Sequence, residues 1–237
     1  VEPPRGHAEG REAVKAQPPF METRGFLWQR ASFVHMTIGA GLSSYVGYSV
    51  IGFLPTFLVR SFNMPAGLVG LYLGLIIGIV GGAGFFLGGY IADHLGKTGH
   101  RRGLRFIGLT VLLTAVPYAA MFLSDSWQAA LWLFLVPALT ANVYLAPVLS
   151  QAQGLVSLRM RAMASAIALL IINVIGLALG PLLTGVLSDA LAPRFGEESM
   201  RYSLLVVTSV ILPWAGWHYA RAGRTIDADL RRAADHD

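Results

Sequence analysis

The placement of charge constrains this chain more than any motif in it. Residues 31–59, 61–92, 106–124, 126–158, 162–188 and 202–220 contain no Asp, Glu, Lys or Arg. A hydrocarbon core about 30 Å thick is crossed by a helix of about 20 apolar residues, and each stretch supplies about that length. None shows the period-two alternation of a membrane strand, and a helix satisfies its own backbone hydrogen bonds in lipid. Six transmembrane helices are therefore predicted, near 33–58, 66–91, 104–123, 128–150, 162–187 and 202–220. The fold class is all-α, a polytopic membrane protein.

Composition agrees. Only 13% of residues are charged and 54% are hydrophobic, against about 25% charged in soluble domains. There is no cysteine, which removes disulfide frameworks and thiolate metal sites; no metal or cofactor is expected. The net charge of +5 does not read as a nucleic-acid patch, because the basic residues sit between apolar runs.

Those residues also set orientation, since Lys and Arg accumulate on the cytoplasmic side. Arg5, Arg11, Lys15, Arg24 and Arg30 precede the first span, and Lys97, Arg101, Arg102 and Arg105 follow the second. Arg159 and Arg161 follow the fourth, and Arg221, Arg224, Arg231 and Arg232 follow the sixth. These 15 of the 18 basic residues share one side; Arg60, Arg194 and Arg201 lie on the other. Both termini are expected in the cytoplasm. Residues 1–32, polar and Pro-rich at their start with no signal-peptide core, read as a flexible cytoplasmic linker. Residues 33–220 read as the six-helix bundle and 221–237 as a cytoplasmic tail. A chain that opens in mid-linker reads as a piece of something longer.

Glycine is concentrated inside the spans. Gly70, Gly74 and Gly78, then Gly81, Gly84 and Gly88, keep three- and four-residue steps that put them on one helix face. Gly176 and Gly180, followed by Pro181, repeat the device in span five. Small residues at this spacing let helices approach closely in lipid. They read either as static packing or as a sliding face for rocking helices, with Gly74, Gly78, Gly81, Gly176, Gly180 and Pro181 as packing and hinge positions. Spans three and six carry no such stripe and are expected to be peripheral and lipid-facing.

Catalytic chemistry has little to work with. The histidines are scattered, no nucleophile or phosphate-cradling motif occurs, and the spans hold no acid, so an enzyme is not expected. The mid-depth polar residues carry more meaning: Tyr45 and Tyr48 in span one, Asn142 and Tyr144 in span four, Asn173 in span five. An amide in hydrocarbon is costly unless hydrogen-bonded, so each faces either a neighbouring helix or a water-filled cavity.

Gly88–Arg102 is the one polar hairpin with a suggestive spacing. Gly89 and Asp93, four residues apart, share a face at the end of span two. An acid there can be held by a helix N-terminus or by nearby Lys and Arg in one conformation and released in another. On charge alone the hairpin is a basic loop that sets topology. With that contact it is a conformational latch built from Gly89, Asp93, Gly96, Lys97, Arg101 and Arg102.

The segment G89-YIA-D93-HL-G96-K97 resembles the loop signature of the major facilitator superfamily, found once in each six-helix half of its members. Residues 53–97 and 149–189 are similar to the bacterial Spinster-like group. The resemblance implies one half of the twelve-helix fold, the C-terminal one, with these spans corresponding to helices seven to twelve. It also implies that spans one and four line a central cavity, through Tyr45, Tyr48, Asn142 and Tyr144, and that spans two and five face the other half. Asp93 and Lys97 would stabilise one state of the transport cycle. Here His94 stands where Arg or Lys is usual, and Arg101 and Arg102 come late, so a weaker or pH-responsive latch is implied. G176-LAL-G180-P181 partly resembles an antiporter hinge but lacks its upstream glycine, so neither symport nor antiport follows.

The implied function is secondary, ion-gradient-driven transport across a bacterial inner membrane. The expected partners are a small-molecule solute, the lipid bilayer, and a missing N-terminal six-helix half or a second copy. The uncharged aromatic lining favours an organic or lipid-like solute. The competing readings are a truncated product or membrane scaffold without flux, and a half that works as a homodimer.

Overall fold

The structure is a computed structural model that describes residues 20–234, except the side chains of residues 92, 93, 95–98 and 234. The linker expected over residues 1–19, the last residues of the tail, and the latch side chains of Asp93 and Lys97, with Gly96, lie outside the described residues.

The described chain is helical: α1 (Phe20–Trp28), α2 (Ala31–Phe62), α3 (Ala66–Leu75), α4 (Gly82–Thr98), α5 (His100–Phe122), α6 (Trp127–Thr140), α7 (Leu145–Gly154), α8 (Arg161–Asn173), α9 (Gly180–Phe195) and α10 (Ser199–Ala234). A π-helical turn, Ile76–Gly81, joins α3 to α4, and a second, Val174–Leu179, joins α8 to α9. Spans two and five are thus each one rod with a wider turn inside it. Five helical stretches are apolar and long enough to cross a membrane, and the last covers Leu158–Ala233. That stretch doubles back at Gly196, whose φ of 56° is left-handed, a region glycine occupies without steric cost. The crossings therefore number six, and the protein is a multi-pass membrane protein.

Side-chain pairings fix the directions of the rods. Ser188 meets Ser199 at 3.2 Å, and Ser203 donates to the Thr184 carbonyl at 2.7 Å. One index falls as the other rises, so α9 and α10 are antiparallel. Gly41 lies against Ile175, Gly180 against Tyr45, and Thr184 donates to Ser49 at 2.9 Å. These indices rise together, so span one and span five run parallel, as two odd-numbered crossings must. Ser43 pairs with Tyr219 and Ser61 with Glu198, so α2 and α10 are antiparallel. Lipid gives helices no hydrophobic reason to associate, and here small residues and hydroxyl bonds do that work. Thr184 alone links α2, α9 and α10.

Three features differ from the sequence expectation. The six glycines of span two do not share one face. An added Cβ at Gly70, Gly74 or Gly78 would meet nothing within 4 Å, whereas at Gly84 it would run into the Leu139 backbone and at Gly88 it would lie 2.9 Å from Val143 Cα. The π turn between the sets accommodates an extra residue, which rotates everything after it by about 100°. Spans three and six do share a close approach: a Cβ on Gly216 would lie 3.1 Å from the Gly108 carbonyl oxygen, and one on Gly108 would lie 3.2 Å from that of Gly216. A stripe search along single helices misses such a cross-helix pair. Finally, Gly88–Arg102 is helical almost throughout. α4 runs to Thr98, α5 begins at His100, and only Gly99, at φ 132°, separates them.

Candidate transport cleft

Span four is not one helix. Between α6 and α7, residues 141–144 form turns and not a regular α-helix, although Ala141 and Tyr144 keep right-handed helical dihedrals. Pro147 accounts for the position: its ring crowds the carbonyl four residues back, that of Val143, and it has no N–H to offer. The freed backbone is partly re-tied, Val143 N–H donating to Thr140 at 3.3 Å and Leu145 N–H to Asn142 at 3.2 Å. Irregular backbone within a membrane is tolerated where protein or a water-filled cavity surrounds it. Asn142 sits in this break, with its side chain exposed on the cavity side.

The break opens onto a cleft of about 290 Å³ lined by Ser44, Gly47, Tyr48 and Ile51 of α2, by Asn142 and Tyr144, and by Leu169, Ile172 and Asn173 of α8, among others. Four of the five residues expected to line a cavity, Tyr48, Asn142, Tyr144 and Asn173, thus meet in one place. Tyr45 does not. It is 7% exposed, and its backbone is packed against Gly180, because position 45 is turned about 60° round α2 from position 48. Asn173 Nδ2 donates to the Leu169 carbonyl at 2.9 Å, so that amide ties back onto its own helix. The Tyr144 hydroxyl pairs with Ser44, which leaves Asn142 and the 38% exposed Tyr48 as the freest polar groups.

The cleft continues along α2. It shares Gly47, Ile51, Ala141 and Asn142 with a hollow of about 270 Å³ reaching Phe85, Tyr118 and Phe134. That hollow shares Ile51, Ile77 and Gly78 with a groove of about 780 Å³ between α2 and α3. No acidic or basic residue lines the first two hollows, and Arg60 is the charged residue lining the third. The arrangement can surround an apolar or amphipathic solute and offer it hydroxyls and amides, but has no paired acid and base for bond-breaking chemistry.

Of the glycines singled out from the sequence, Gly74 and Gly78 line the open groove, and Gly81 approaches the Ala138 carbonyl. Gly176 and Gly180 are buried against Ser44, Tyr45 and Ser49, and Pro181 directly follows the π turn inside the continuous rod, where it has no N–H to donate. At the hairpin Gly89 is half-buried, and Arg101 and Arg102 are exposed. The sequence pattern missed the break in span four, although Pro137 and Pro147 bracket it. It also missed Ser44, Gly47 and Ile51, small or apolar residues whose role depends only on which way α2 is turned.

A six-crossing bundle with an uncharged mid-depth cleft defines a membrane-transport architecture. The chain belongs to the major facilitator superfamily, a family of membrane transporters: the family model described as Major Facilitator Superfamily matches residues 1–181. An MFS-type efflux pump of Mycolicibacterium smegmatis is 33% identical over 207 residues, covering 85% of this chain and 48% of that protein. Among solved structures, a bacterial homolog of the human lysosomal transporter Spinster is similar in two inward-facing conformations. The unoccupied one has a TM-score of 0.78 at 24% identity, covering 92% of this chain and 55% of that one. The occupied one has a TM-score of 0.71 at 25% identity, covering 84% and 50%. The chain thus spans about half the length of the relatives it matches.

Proposed function

We propose that this chain is the C-terminal six-helix half of a secondary transporter of a bacterial inner membrane, with both termini in the cytoplasm. Its solute is a small amphipathic or lipid-like organic molecule, moved outward at the expense of an ion gradient. The observation that carries this reading is the uncharged cleft at the break in span four, where Tyr48, Asn142, Tyr144 and Asn173 converge. The half length relative to the efflux pump and the Spinster homolog supports an absent partner half. So does the open small-residue face of Gly70, Gly74 and Gly78, where an added Cβ would meet nothing within 4 Å among the described residues. The outward direction is proposed from the similarity to the mycobacterial efflux pump.

The test is flux in everted vesicles, energised by a proton or sodium gradient, for the chain alone and for the chain joined to a six-span half encoded in frame upstream. Accumulation of a fluorescent lysophospholipid or lipophilic dye is expected only with both halves, and N142A with Y48A should reduce it strongly. Flux unaffected by both substitutions would remove the cleft from the pathway. A dimeric mass for the chain alone in mild detergent, with flux, would favour a second copy as the covering half.

A further inference from the structure

At the end of the bundle where the basic residues gather, spans one and six approach through two imidazoles. His35 Nδ1 of α2 and His218 Nδ1 of α10 lie 3.0 Å apart. A hydrogen bond there needs a proton on one Nδ1 and a lone pair on the other, so the two neutral rings hold opposite tautomers. Trp217 stands edge-on to both, at centroid distances of 5.6 Å from His35 and 4.8 Å from His218, and Trp214 tilts against His218 at 5.9 Å. His218 is 6% exposed and His35 half-buried, so the pair is walled by indole and reachable from the His35 side.

The surrounding charges are mostly positive. On α10 Arg221 lies over the Trp217 ring at 5.4 Å. Arg30, just before α2, is turned onto Phe26. Further along α10, Asp229 is engaged with Ser32 and Arg232. On α5, Arg101 and Arg105 pack against Gly223. Among the described residues no carboxylate is bonded to either imidazole.

We propose that His35 and His218 form a proton-binding site that holds one proton between the two rings, where two separate imidazoles would hold two. The first proton turns a neutral N–H···N contact into a charge-assisted one, which is shorter and about twice as strong. A second would set two N–H groups against each other and two cations side by side, with Arg221 nearby and, among the described residues, no carboxylate bonded to either ring. The site therefore draws α2 to α10 when singly protonated and releases them when doubly protonated. This goes beyond the transport reading and does not rest on it.

The experiment is side-chain nitrogen NMR of the full chain with 15N-labelled histidine in lipid nanodiscs, titrated from about pH 8 to about pH 5. The pair should take up a single proton over that window. H218N should move the His35 midpoint by at least about one unit, and H35N that of His218, as coupled sites require. Protonation of both rings in one step, with neither midpoint moving in the variants, would overturn the site. If either variant fails to fold, the proton count of the unsubstituted chain decides alone.

Discussion

Asp229 closes one end of the bundle by accepting, through a single carboxylate oxygen, both the backbone N–H of Ser32 at 2.9 Å and its hydroxyl at 2.7 Å. Ser32 is the second residue of α2, and its N–H is among those that a helix start leaves without an internal acceptor. The cap comes from a helix 197 residues away in sequence, with Asp229 only 2% exposed. The carboxylate also faces the positive end of the α2 dipole.

Replacing Asp229 by Ala strands that donor pair in a buried place. The expected loss is about 1.5–3 kcal/mol of stability, the range for hydrogen bonds to charged groups, and D229N should lose less because its amide oxygen still accepts. Unfolding midpoints of the three proteins in the same detergent decide the matter; a D229A chain as stable as its parent would remove the cap from the fold's energetics.

The glycines divide into two groups with different expected sensitivities. A Cβ at Gly176 would overlap the Ser44 hydroxyl, and one at Gly180 would lie 2.8 Å from the Tyr45 carbonyl oxygen. G176A and G180A should each cost about 1–3 kcal/mol through overpacking. G74A and G78A, which meet nothing within 4 Å, should change the stability of this chain by less than about 0.5 kcal/mol. Once a covering half is present, they should impair assembly or flux. Equal damage from both groups in the chain alone would contradict the contrast between the packed glycines of span five and the open ones of span two.

The hydroxyl bond from Thr184 to Ser49 lies fully inside the bundle. A double-mutant cycle with T184A and S49A should return a coupling of about 0.6 kcal/mol, and no more than about 1.7 kcal/mol, as interhelical bonds in lipid do. A coupling near zero would leave the helix contact to glycine packing alone.

For the hairpin, D93N should shift the balance between inward- and outward-open states of the assembled transporter. These 237 residues hold no cysteine, so single cysteines introduced here serve as accessibility reporters once any cysteines of the joined half are replaced. Unchanged labelling together with unchanged flux would reduce Gly89–Arg102 to a topology signal.

Much of the architecture is written in the charges. Six uncharged stretches give six crossings, because a membrane demands length and apolarity before anything else. The convergence of Tyr48, Asn142, Tyr144 and Asn173 was also approachable, since a mid-depth amide or phenol needs a partner or a cavity. Tyr45 shows where that logic stops: hydropathy places a residue at a depth but does not say which way its helix is turned. The His35–His218 pair, the Asp229–Ser32 cap and the Gly108–Gly216 approach join residues on different helices far apart in the chain. Their existence follows from helix rotation and crossing, which no local spacing encodes.

The π turn at Ile76–Gly81 has a consequence for how span two tolerates change in length. A π turn is structurally a one-residue insertion that the helix has absorbed without breaking. Deleting one residue within 76–81 would return the rod to regular pitch and leave its far half facing the same way, because the lost residue and the restored turn of about 100° per residue cancel. Gly84 and Gly88 would keep Leu139 and Val143 as neighbours, whereas the same deletion elsewhere in span two would turn one half of the helix against the other by about 100°. The π turn is thus the place where span two can lose a residue without changing partners.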